Sequence, residues 1–327
     1  MESHRPLALF IYNASWNKYP WVREIARQAA PPDFDVEFCE GTDTATLQRL
    51  LPRADFVVTT NLTAAAIALL RRCKLVQHQG VGYDGIDAVA LARAGIPLAV
   101  TTAGTIIGVA EHTILLILAL YKQIVRVHES LRRGEYDQMG WRADSHFFFG
   151  KTLGIVGLGR IGRRVAQLAR AFDINMIYYD AVRAPQDVER ELGITFVSFE
   201  ELVGQSDVIT VHVPAIPETR GLFNRDTFAR MKRGTLFINT SRGETYDMDA
   251  LCQFLQNGHL GGAGLDVFNP EPPPPDHPIL QLPNVICTPH MATGTIEAHH
   301  EKARAQFENM QRVLRGESII NLVKDAR

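Results

Sequence analysis

The sequence is poor in cysteine, and this scarcity narrows the kinds of site that it can build. Its 327 residues include four cysteines, none of them in a C-x-x-C pair and each surrounded by apolar residues. Structural zinc sites and disulfide frameworks need clustered or regularly spaced cysteines. We therefore expect no metal site, and we expect thiols that belong to the hydrophobic core: Cys39, Cys73, Cys252 and Cys287.

An excess of charge and a long hydrophobic run are also absent. The net charge is −2, so nothing recommends a nucleic acid or an anionic membrane as a partner. The longest apolar run, residues 113–121, is far shorter than the ~20 residues that span a bilayer. The first residues, MESHRPLALF, lack the basic and then apolar pattern of a signal peptide. We expect a cytoplasmic protein.

What the sequence does contain is an alternation of strand-like and helical patterns. Its length suggests two domains of about 150 residues. In the first hundred residues, short apolar runs alternate with helical patterns, which indicates a doubly wound parallel sheet covered on both faces. The strand-like runs are residues 7–12, 36–39, 56–59, 75–78 and 97–100.

The segment 151–180 reads as strand, tight turn, helix and second strand. The turn carries G-x-G-x-x-G at Gly157, Gly159 and Gly162, and the second strand ends at Asp180, 180 − 157 = 23 residues after the first glycine. This is the dinucleotide-binding fingerprint in its full context. A bare glycine-rich turn in another kind of α/β protein is the alternative.

Each part of the fingerprint has a physical task. Gly157 permits the turn, Gly159 lets the backbone approach a pyrophosphate, and Gly162 lets the helix lie close to the strand. Asp180 would accept hydrogen bonds from the adenosine ribose and repel a 2′-phosphate. NAD is therefore favoured over NADP, although Arg183 weakens that preference.

Candidate catalytic side chains follow later strand-like runs, at 236–239, 264–267 and 285–287. Arg242 offers a planar guanidinium that could bind and polarise a 2-oxo acid, whereas an isolated arginine is more often a surface or ion-pair residue. His290 could donate a proton to a carbonyl oxygen, and Glu271 beside it would favour the protonated imidazole. Any single histidine among eleven is more often structural.

Three further segments bear on the site, on assembly and on the domain organisation. The glycine-containing turn at 79–84 could hold a small carboxylate with main-chain N–H groups, or it could be a plain loop. A single long helix is predicted from Val109 to about Gly134, apolar on nearly every side at its start and suited to an intersubunit arm that continues to Phe149. A final helix at about 295–314 is expected to pack against the first domain.

Several motifs together resemble the D-isomer-specific 2-hydroxyacid dehydrogenase family. They are GVGYDGID at 80–87, VAEHTILLILA at 109–119, GKTLGIVGLGRIG at 150–162, HVPAIPETRGL at 212–222, FINTSRGE at 237–244, GAGLDVFNPEP at 262–272 and TPH at 288–290. The resemblance covers the chain from about Gln79 onward. It implies a Rossmann cofactor domain, residues 103–290, inserted into a flavodoxin-like substrate domain, residues 1–102 and 291–327.

The resemblance also implies roles for individual residues. Val81 and Gly82 would bind the substrate carboxylate, Arg242 the substrate, and His290 would be the general acid/base paired with Glu271. Residues implied to bind the cofactor, besides the three glycines and Asp180, are Val109, Arg160, Ile161, His212, Val213, Pro214, Thr219, Thr240, Ser241, Arg242, Asp266 and His290.

The implied activity is reversible hydride transfer between NAD(H) and a small 2-oxo or D-2-hydroxy acid, in a homodimer. Oxidation of formate or phosphite on the same scaffold is an alternative, although the formate branch usually has glutamine where Glu271 stands. A second alternative is an NAD(H)-sensing module like the corepressors that resemble this family.

Overall fold

The computed structural model describes residues 5–13 and 18–324. The chain divides into two compact units, Met1–Thr105 with Gly294–Arg327, and Ile106–Thr293. The sequence placed these boundaries at 102/103 and 290/291, three residues earlier in both cases. Both boundaries therefore lie beside the predicted positions, and the first unit is built from the two ends of the chain.

The first unit contains a five-stranded sheet in which every strand pair is parallel. The spatial order is β2-β1-β3-β4-β5, which is the flavodoxin-like order. The strands are β1 Leu7–Tyr12, β2 Asp35–Glu40, β3 Phe56–Thr59, β4 Leu75–His78 and β5 Leu98–Val100.

The second unit contains a seven-stranded sheet, again parallel throughout. Its order, β12-β11-β10-β9-β6-β7-β8, is the Rossmann order extended by one strand. Two parallel α/β sheets of these orders confirm the predicted fold class. The strands are β6 Thr152–Val156, β7 Asn175–Tyr179, β8 Thr195–Phe196, β9 Val208–Val211, β10 Leu236–Asn239, β11 Gly262–Leu265 and β12 Val285–Cys287.

Helices cover both sheets. The α-helices are α1 Pro20–Ala29, α2 Thr44–Leu50, α3 Ala64–Ile67, α4 Ala88–Arg93, α5 Thr105–Tyr121, α6 Ile124–Arg132, α7 Arg160–Ala169, α8 Gln186–Leu192, α9 Phe199–Gln205, α10 Arg225–Arg230, α11 Met248–Gln256 and α12 Ile296–Leu314. Short 3₁₀ helices lie at Leu51–Arg53, Gly140–Arg142, Arg170–Phe172, Gly243–Thr245 and Pro278–Gln281.

The prediction of one helix over residues 109–134 was wrong. The segment forms α5 and α6, which meet at a 60° bend. Gln123, at the break, has φ 52, a left-handed conformation that ends the first helix. Taken one at a time, none of the helices in the described ranges has the length and hydrophobicity to cross a membrane, and α5 and α6 meet that test only as a bent pair.

Strand β11 begins two residues earlier than predicted and ends before Val267. The reason is that Gly262 and Gly264 contribute no apolar side chains to the pattern. A Cβ at Gly264 would lie 3.0 Å from Cβ of Leu116 on α5, so glycine lets the helix pack directly on the strand. Asp266 therefore follows the strand instead of lying within it.

In the first unit, α12 is tied to the sheet by buried polar groups. The Gln77 amide donates to the carbonyl of Gln306 at 2.8 Å. The Asn309 amide donates to Gln77 at 3.1 Å and to the Ile320 carbonyl at 2.9 Å, and it accepts from the Ile320 N–H at 2.8 Å. These bonds anchor β4, whose end leads into the turn at 79–84.

Replacing Asn309 with alanine should therefore destabilise the protein. The change removes three hydrogen bonds and leaves the buried Gln77 oxygen without its donor, which predicts a loss of about 2–4 kcal/mol. The midpoint of urea unfolding measures it. The matched control is Glu308→Ala, an exposed neighbour on the same helix that should change the midpoint little. Equal midpoints for the two variants would contradict this account.

Candidate functional site

The glycine turn after β6 is shaped by close backbone contacts. Gly157 has φ 95, and a Cβ there would lie 2.8 Å from the carbonyl oxygen of His212. A Cβ at Gly162 would lie 2.2 Å from the carbonyl oxygen of Gly157, so the start of α7 rests directly on the turn. Gly159 has open space around its Cβ position and begins α7 with no side-chain cap. The first turn of α7, with Arg160 and Ile161, is therefore open to a phosphate group.

Asp180 stands at the carboxyl end of β7, beside this turn. Its carboxylate accepts from the Leu158 N–H at 2.7 Å and from the Val182 N–H at 3.3 Å. Two main-chain donors hold the carboxylate in place, and its remaining lone pairs suit ribose hydroxyls. The arrangement fits NAD and opposes a 2′-phosphate.

Arg183, the residue that weakened the sequence-based preference for NAD, forms an ion pair with Glu189. Its guanidinium makes two hydrogen bonds of 2.9 Å to the carboxylate of Glu189 and lies 5.5 Å from the centre of the Phe196 ring. Hydrogen bonds from Arg183 and Tyr178 lower the pKa of Glu189 to about 2. Because the Arg183 guanidinium is already bonded to a carboxylate, it is not positioned to bind a 2′-phosphate.

The loop after β9 carries another group of predicted cofactor residues, His212, Val213, Pro214 and Thr219. The Thr219 hydroxyl braces the loop: it accepts from the Ile216 N–H at 3.0 Å and donates to the Pro214 carbonyl. Both ring nitrogens of His212 are buried without a hydrogen-bond partner among the described residues. Burial lowers the pKa of His212 to about 3, so the ring is neutral.

The turn after β10 is organised by Asn239, which is fully buried. Its side-chain oxygen accepts from the N–H and the hydroxyl of Ser241, at 2.9 and 2.8 Å. Its amide donates to the Arg242 carbonyl at 3.2 Å and to the Thr245 hydroxyl at 2.9 Å. One amide side chain thus fixes the backbone of the residue that carries the guanidinium.

Two contacts attach this turn to its surroundings. The Thr240 hydroxyl lies 3.1 Å from that of Thr113 on α5, which in turn donates to the carbonyl of Val109 at 2.8 Å. A Cβ at Gly243 would lie 2.0 Å from the carbonyl carbon and oxygen of Phe268. The backbone next to Arg242 therefore presses against the loop that leads to Glu271.

Glu271 and His290 form a direct pair, since Nδ1 of the imidazole lies 2.8 Å from Oε1 of the carboxylate. The side chains are 45% and 39% exposed for His290 and Glu271 respectively, so the pair is open to a small molecule. His290 has φ 50 and is held by bonds from its N–H to the carbonyls of Asp266 and Thr288, at 2.9 and 3.0 Å. With Nδ1–H donated to Glu271, Nε2 is the nitrogen that can exchange a proton.

The carboxylate of Asp266 is completely buried and holds the segment around His290. It accepts from the Thr288 hydroxyl at 2.6 Å, the Met291 N–H at 2.8 Å and the Ala292 N–H at 2.9 Å. Nε2 of His112 lies 3.0 Å from the Thr288 hydroxyl oxygen and 3.9 Å from the Asp266 carboxylate. Because the Thr288 hydroxyl donates its proton to Asp266, His112 donates to Thr288.

Sequence reasoning missed this bracing by Asn239, His112 and Thr288. The available signal was the presence of polar residues at the ends of apolar strands and on the apolar helix α5. Asp266 is predicted to line the cofactor site, and what the structure shows is that its side chain supports the loop that carries His290.

The first unit contains Val81 and Gly82 in the turn after β4. Two hydrogen bonds hold Gly80 in place. The Gly80 N–H donates to the His78 imidazole at 2.9 Å, and the Gly80 carbonyl accepts from the Thr101 N–H at 3.1 Å. The next two N–H groups, of Val81 and Gly82, donate to no group within residues 5–13 and 18–324. They are adjacent donors at the carboxyl end of a parallel strand, as carboxylate binding requires.

The structure thus brings Glu271 and His290 into contact and places Arg242 at the end of the adjoining strand β10 in the same unit. Val81 and Gly82 belong to the other unit. No set of three or more His, Cys, Asp or Glu side chains in the described ranges is arranged to hold a metal ion.

Asp266→Asn should loosen the His290 segment. An amide presents only one accepting oxygen and would place N–H groups against the N–H of Ala292 or of Met291, so we expect a loss of about 1–3 kcal/mol in the free energy of unfolding. Urea unfolding measures it. Asp276→Asn, an exposed acid in the same region, is the matched control. A midpoint as high as that of the control would refute the bracing role.

Comparison with known proteins gives consistent results. The family model for the "D-isomer specific 2-hydroxyacid dehydrogenase, NAD binding domain" matches residues 114–292. A glyoxylate reductase of Korarchaeum cryptofilum is 35% identical over 303 residues, covering 92% of this chain and 89% of that protein. A D-3-phosphoglycerate dehydrogenase of Methanocaldococcus jannaschii is 38% identical over 88% of this chain, which spans only 55% of that longer protein.

Solved structures of similar fold include proteins with bound NAD. A D-lactate dehydrogenase of Aquifex aeolicus, complexed with NAD and lactic acid, has a TM-score of 0.80 at 30% identity and covers 95% of this chain and 96% of its own. An NAD-dependent formate dehydrogenase of Staphylococcus aureus in complex with NAD has a TM-score of 0.79 at 28% identity, with 98% and 99% covered.

Proposed function

Because the chain belongs to the D-isomer-specific 2-hydroxyacid dehydrogenase family, whose cofactor is NAD, we propose that it reduces a small 2-oxo acid to the D-2-hydroxy acid, reversibly. The observation that carries this proposal is the 2.8 Å pair of Glu271 and His290. Reduction of a carbonyl needs a proton as well as a hydride, and this pair can supply the proton.

The proposed reaction assigns one task to each residue. Bound NADH supplies the hydride. His290 delivers a proton from Nε2 to the oxygen that was the carbonyl, while Glu271 orients the ring through Nδ1 and favours its charged form. In the reverse direction His290 takes the proton back.

Arg242 and the turn after β4 would orient the acid. The guanidinium can bond a carboxylate and a neighbouring carbonyl oxygen together, which fixes the 2-oxo acid and polarises its carbonyl. The two N–H groups of Val81 and Gly82 hold the carboxylate. In this proposal the unit Ile106–Thr293 is the cofactor domain and the other unit is the substrate domain.

The remaining predicted residues would hold the cofactor. We assign the pyrophosphate to the open first turn of α7, the ribose to Asp180, and the adenosine side to the loop after β9. Thr240, Ser241 and Asp266 stand at the ends of β10 and β11, which suits the nicotinamide end. The unsatisfied nitrogens of His212 are consistent with a ligand beside that loop.

The alternatives fit the pair less well. Oxidation of formate to carbon dioxide transfers a hydride and leaves no carbonyl oxygen to protonate, so a Glu271–His290 pair would have no proton to deliver. An NAD(H)-sensing module would bind the nucleotide without turnover. A panel of glyoxylate, hydroxypyruvate, pyruvate, phenylpyruvate and 2-oxoglutarate with NADH separates the reductase from the sensor, and nucleotide binding without NADH oxidation on any acid would favour the sensor.

His290→Ala should lower kcat by about two to four orders of magnitude, because the proton then comes from water. The measurement is the rate of NADH oxidation with the best acid of the panel, under saturating conditions. His128→Ala, an exposed histidine on α6, should keep the wild-type rate. Near-normal turnover of the His290 variant would remove the assignment.

We also propose that the protein is a homodimer. Large apolar side chains are exposed along one stretch of the second unit, and monomeric soluble proteins seldom leave such surfaces uncovered. The stretch covers α5, α6 and the segment that follows, and a two-fold axis would pair it with itself. The residues are Leu115, Ile124, Val125, Leu131, Tyr136, Met139, Phe147 and Phe149.

Light scattering should give the mass of a dimer for the wild type and a lower mass for the double variant Ile124→Glu with Leu131→Glu. The reason is that two buried carboxylates per subunit would oppose association. Val182→Glu is the control, since Val182 is 79% exposed but lies outside this stretch. A monomeric wild type would overturn the proposal.

A further inference from the structure

A small pocket in the first unit has a buried lysine in its wall. The polar part of its wall is formed by Tyr12, the last residue of β1, by Gln79, which follows β4, and by His299, Lys302 and Gln306 on α12. The rest of the wall is apolar and is formed by Phe10, Val22, Ile25, Ala26 and Ala303. Its free volume is about 20 Å³, the space of about one water molecule. The pocket therefore lies at the carboxyl-terminal edge of the sheet, where parallel α/β proteins bind ligands.

The ammonium group of Lys302 has no partner within the described part of the chain. The residue is 7% exposed, and within the described ranges its nitrogen neither pairs with a carboxylate nor donates a hydrogen bond, although this nitrogen is not among the fully buried atoms that lack a partner. Burial lowers the pKa of Lys302 to about 8, so the group stays largely protonated at neutral pH. Lysines are almost never so buried unless paired, because desolvating an unpaired charge is unfavourable.

The surroundings add positive charge and no negative charge. The described residues that line the pocket include no aspartate or glutamate. Arg23 on α1 acts electrostatically on Tyr12 and opposes the rise that burial causes in the pKa of that phenol. The Arg23 Nε is buried and has no hydrogen-bond partner among the residues that the structure describes. Burial, with Lys302 nearby, lowers the pKa of His299 to about 4, so that ring is neutral at neutral pH and adds no charge to the pocket.

We propose that this pocket is a specificity site in which Lys302 binds a second oxyanion of the substrate. The substrate would then be a 2-oxo acid with a distal carboxylate or phosphate. This inference rests on the proposed function and narrows it. An oxyanion supplies the charge and the hydrogen-bond acceptors that the ammonium lacks.

The position of Gln79 connects the pocket with the proposed carboxylate donors. Gln79 lines the pocket and stands two residues before Val81, a separation of at most roughly 7 Å along the backbone. Two acidic groups on one small molecule can span that distance. Because the free volume admits only a small group, a carboxylate fits more readily than a phosphate.

The test compares acids with and without a second anionic group, using the full chain with NADH. Glyoxylate and pyruvate have one carboxylate, oxaloacetate and 2-oxoglutarate add a distal carboxylate, and phosphohydroxypyruvate adds a distal phosphate. The variant is Lys302→Met, which keeps the length of the side chain and removes its charge. The matched control is Arg304→Met, which removes an exposed cation two residues away on the same helix.

We expect the wild type to favour the acids with a distal oxyanion. Lys302→Met should lower kcat/KM for those acids by about 10- to 100-fold, mainly through KM, and change it less than about threefold for glyoxylate. Arg304→Met should leave both classes unchanged. The thermal midpoint of Lys302→Met should equal or exceed that of the wild type, since the change removes an unpaired buried charge.

Three results would overturn the inference. A wild type that reduces glyoxylate or pyruvate and shows no preference for a distal oxyanion overturns this site and leaves the proposed function standing. A Lys302→Met variant that loses equal activity on every acid, or that has a lower thermal midpoint, identifies a structural lysine. A wild type that oxidises NADH with none of the acids overturns both proposals.

Discussion

The buried carboxylate of Asp266 is satisfied by three donors, and all three belong to the segment that carries His290. A charge in a dry interior is tolerated only when its lone pairs are occupied, so the carboxylate and the segment fix each other. This constraint explains how a histidine can hold a left-handed backbone conformation and still keep its imidazole against Glu271. The Glu271–His290 pair is thus pre-positioned by a group outside the pair.

The parallel sheet accounts for the proximity of residues that are far apart in sequence. Strands β10, β11 and β12 are neighbours, with Asn239 opposite Leu265 and Leu265 opposite Cys287. Their carboxyl ends therefore reach one edge together, and Arg242, Asp266 and His290 follow within a few residues. The backbone of Phe268 leaves no room for a side chain at position 243. The turn that carries Arg242 and the loop that leads to Glu271 are therefore packed directly against each other.

Much of the fold could be predicted from local pattern, and the failures have physical causes. Runs of branched and aromatic residues marked β1, β3, β4, β10 and β12 correctly to the residue. The break at Gln123 has no local signal because a non-glycine residue adopts the left-handed conformation there. The glycines of β11 hid its start, and the two-residue β8 is too short to show a period.

In the candidate site, the sequence motifs identified Glu271 and His290. The network of Asn239, His112 and Thr288 depends on contacts across the sheet that no local pattern reveals.

The two units carry different kinds of constraint. In Ile106–Thr293 the side chains of Asp180, Asn239 and Asp266 at the strand ends are each bonded to a neighbouring segment, so a change there disturbs the glycine turn, the Arg242 turn or the Glu271–His290 pair. In the described part of the other unit, the turn after β4 leaves two N–H groups without partners, and Lys302 is buried with no carboxylate beside it. A lysine within a helical pattern is normally a surface residue, so the sequence hides this feature entirely. Unsatisfied donors reduce stability and are retained where a ligand completes them. Under the proposed function, recognition of the acid could therefore vary in the first unit while the chemistry of the second stays fixed.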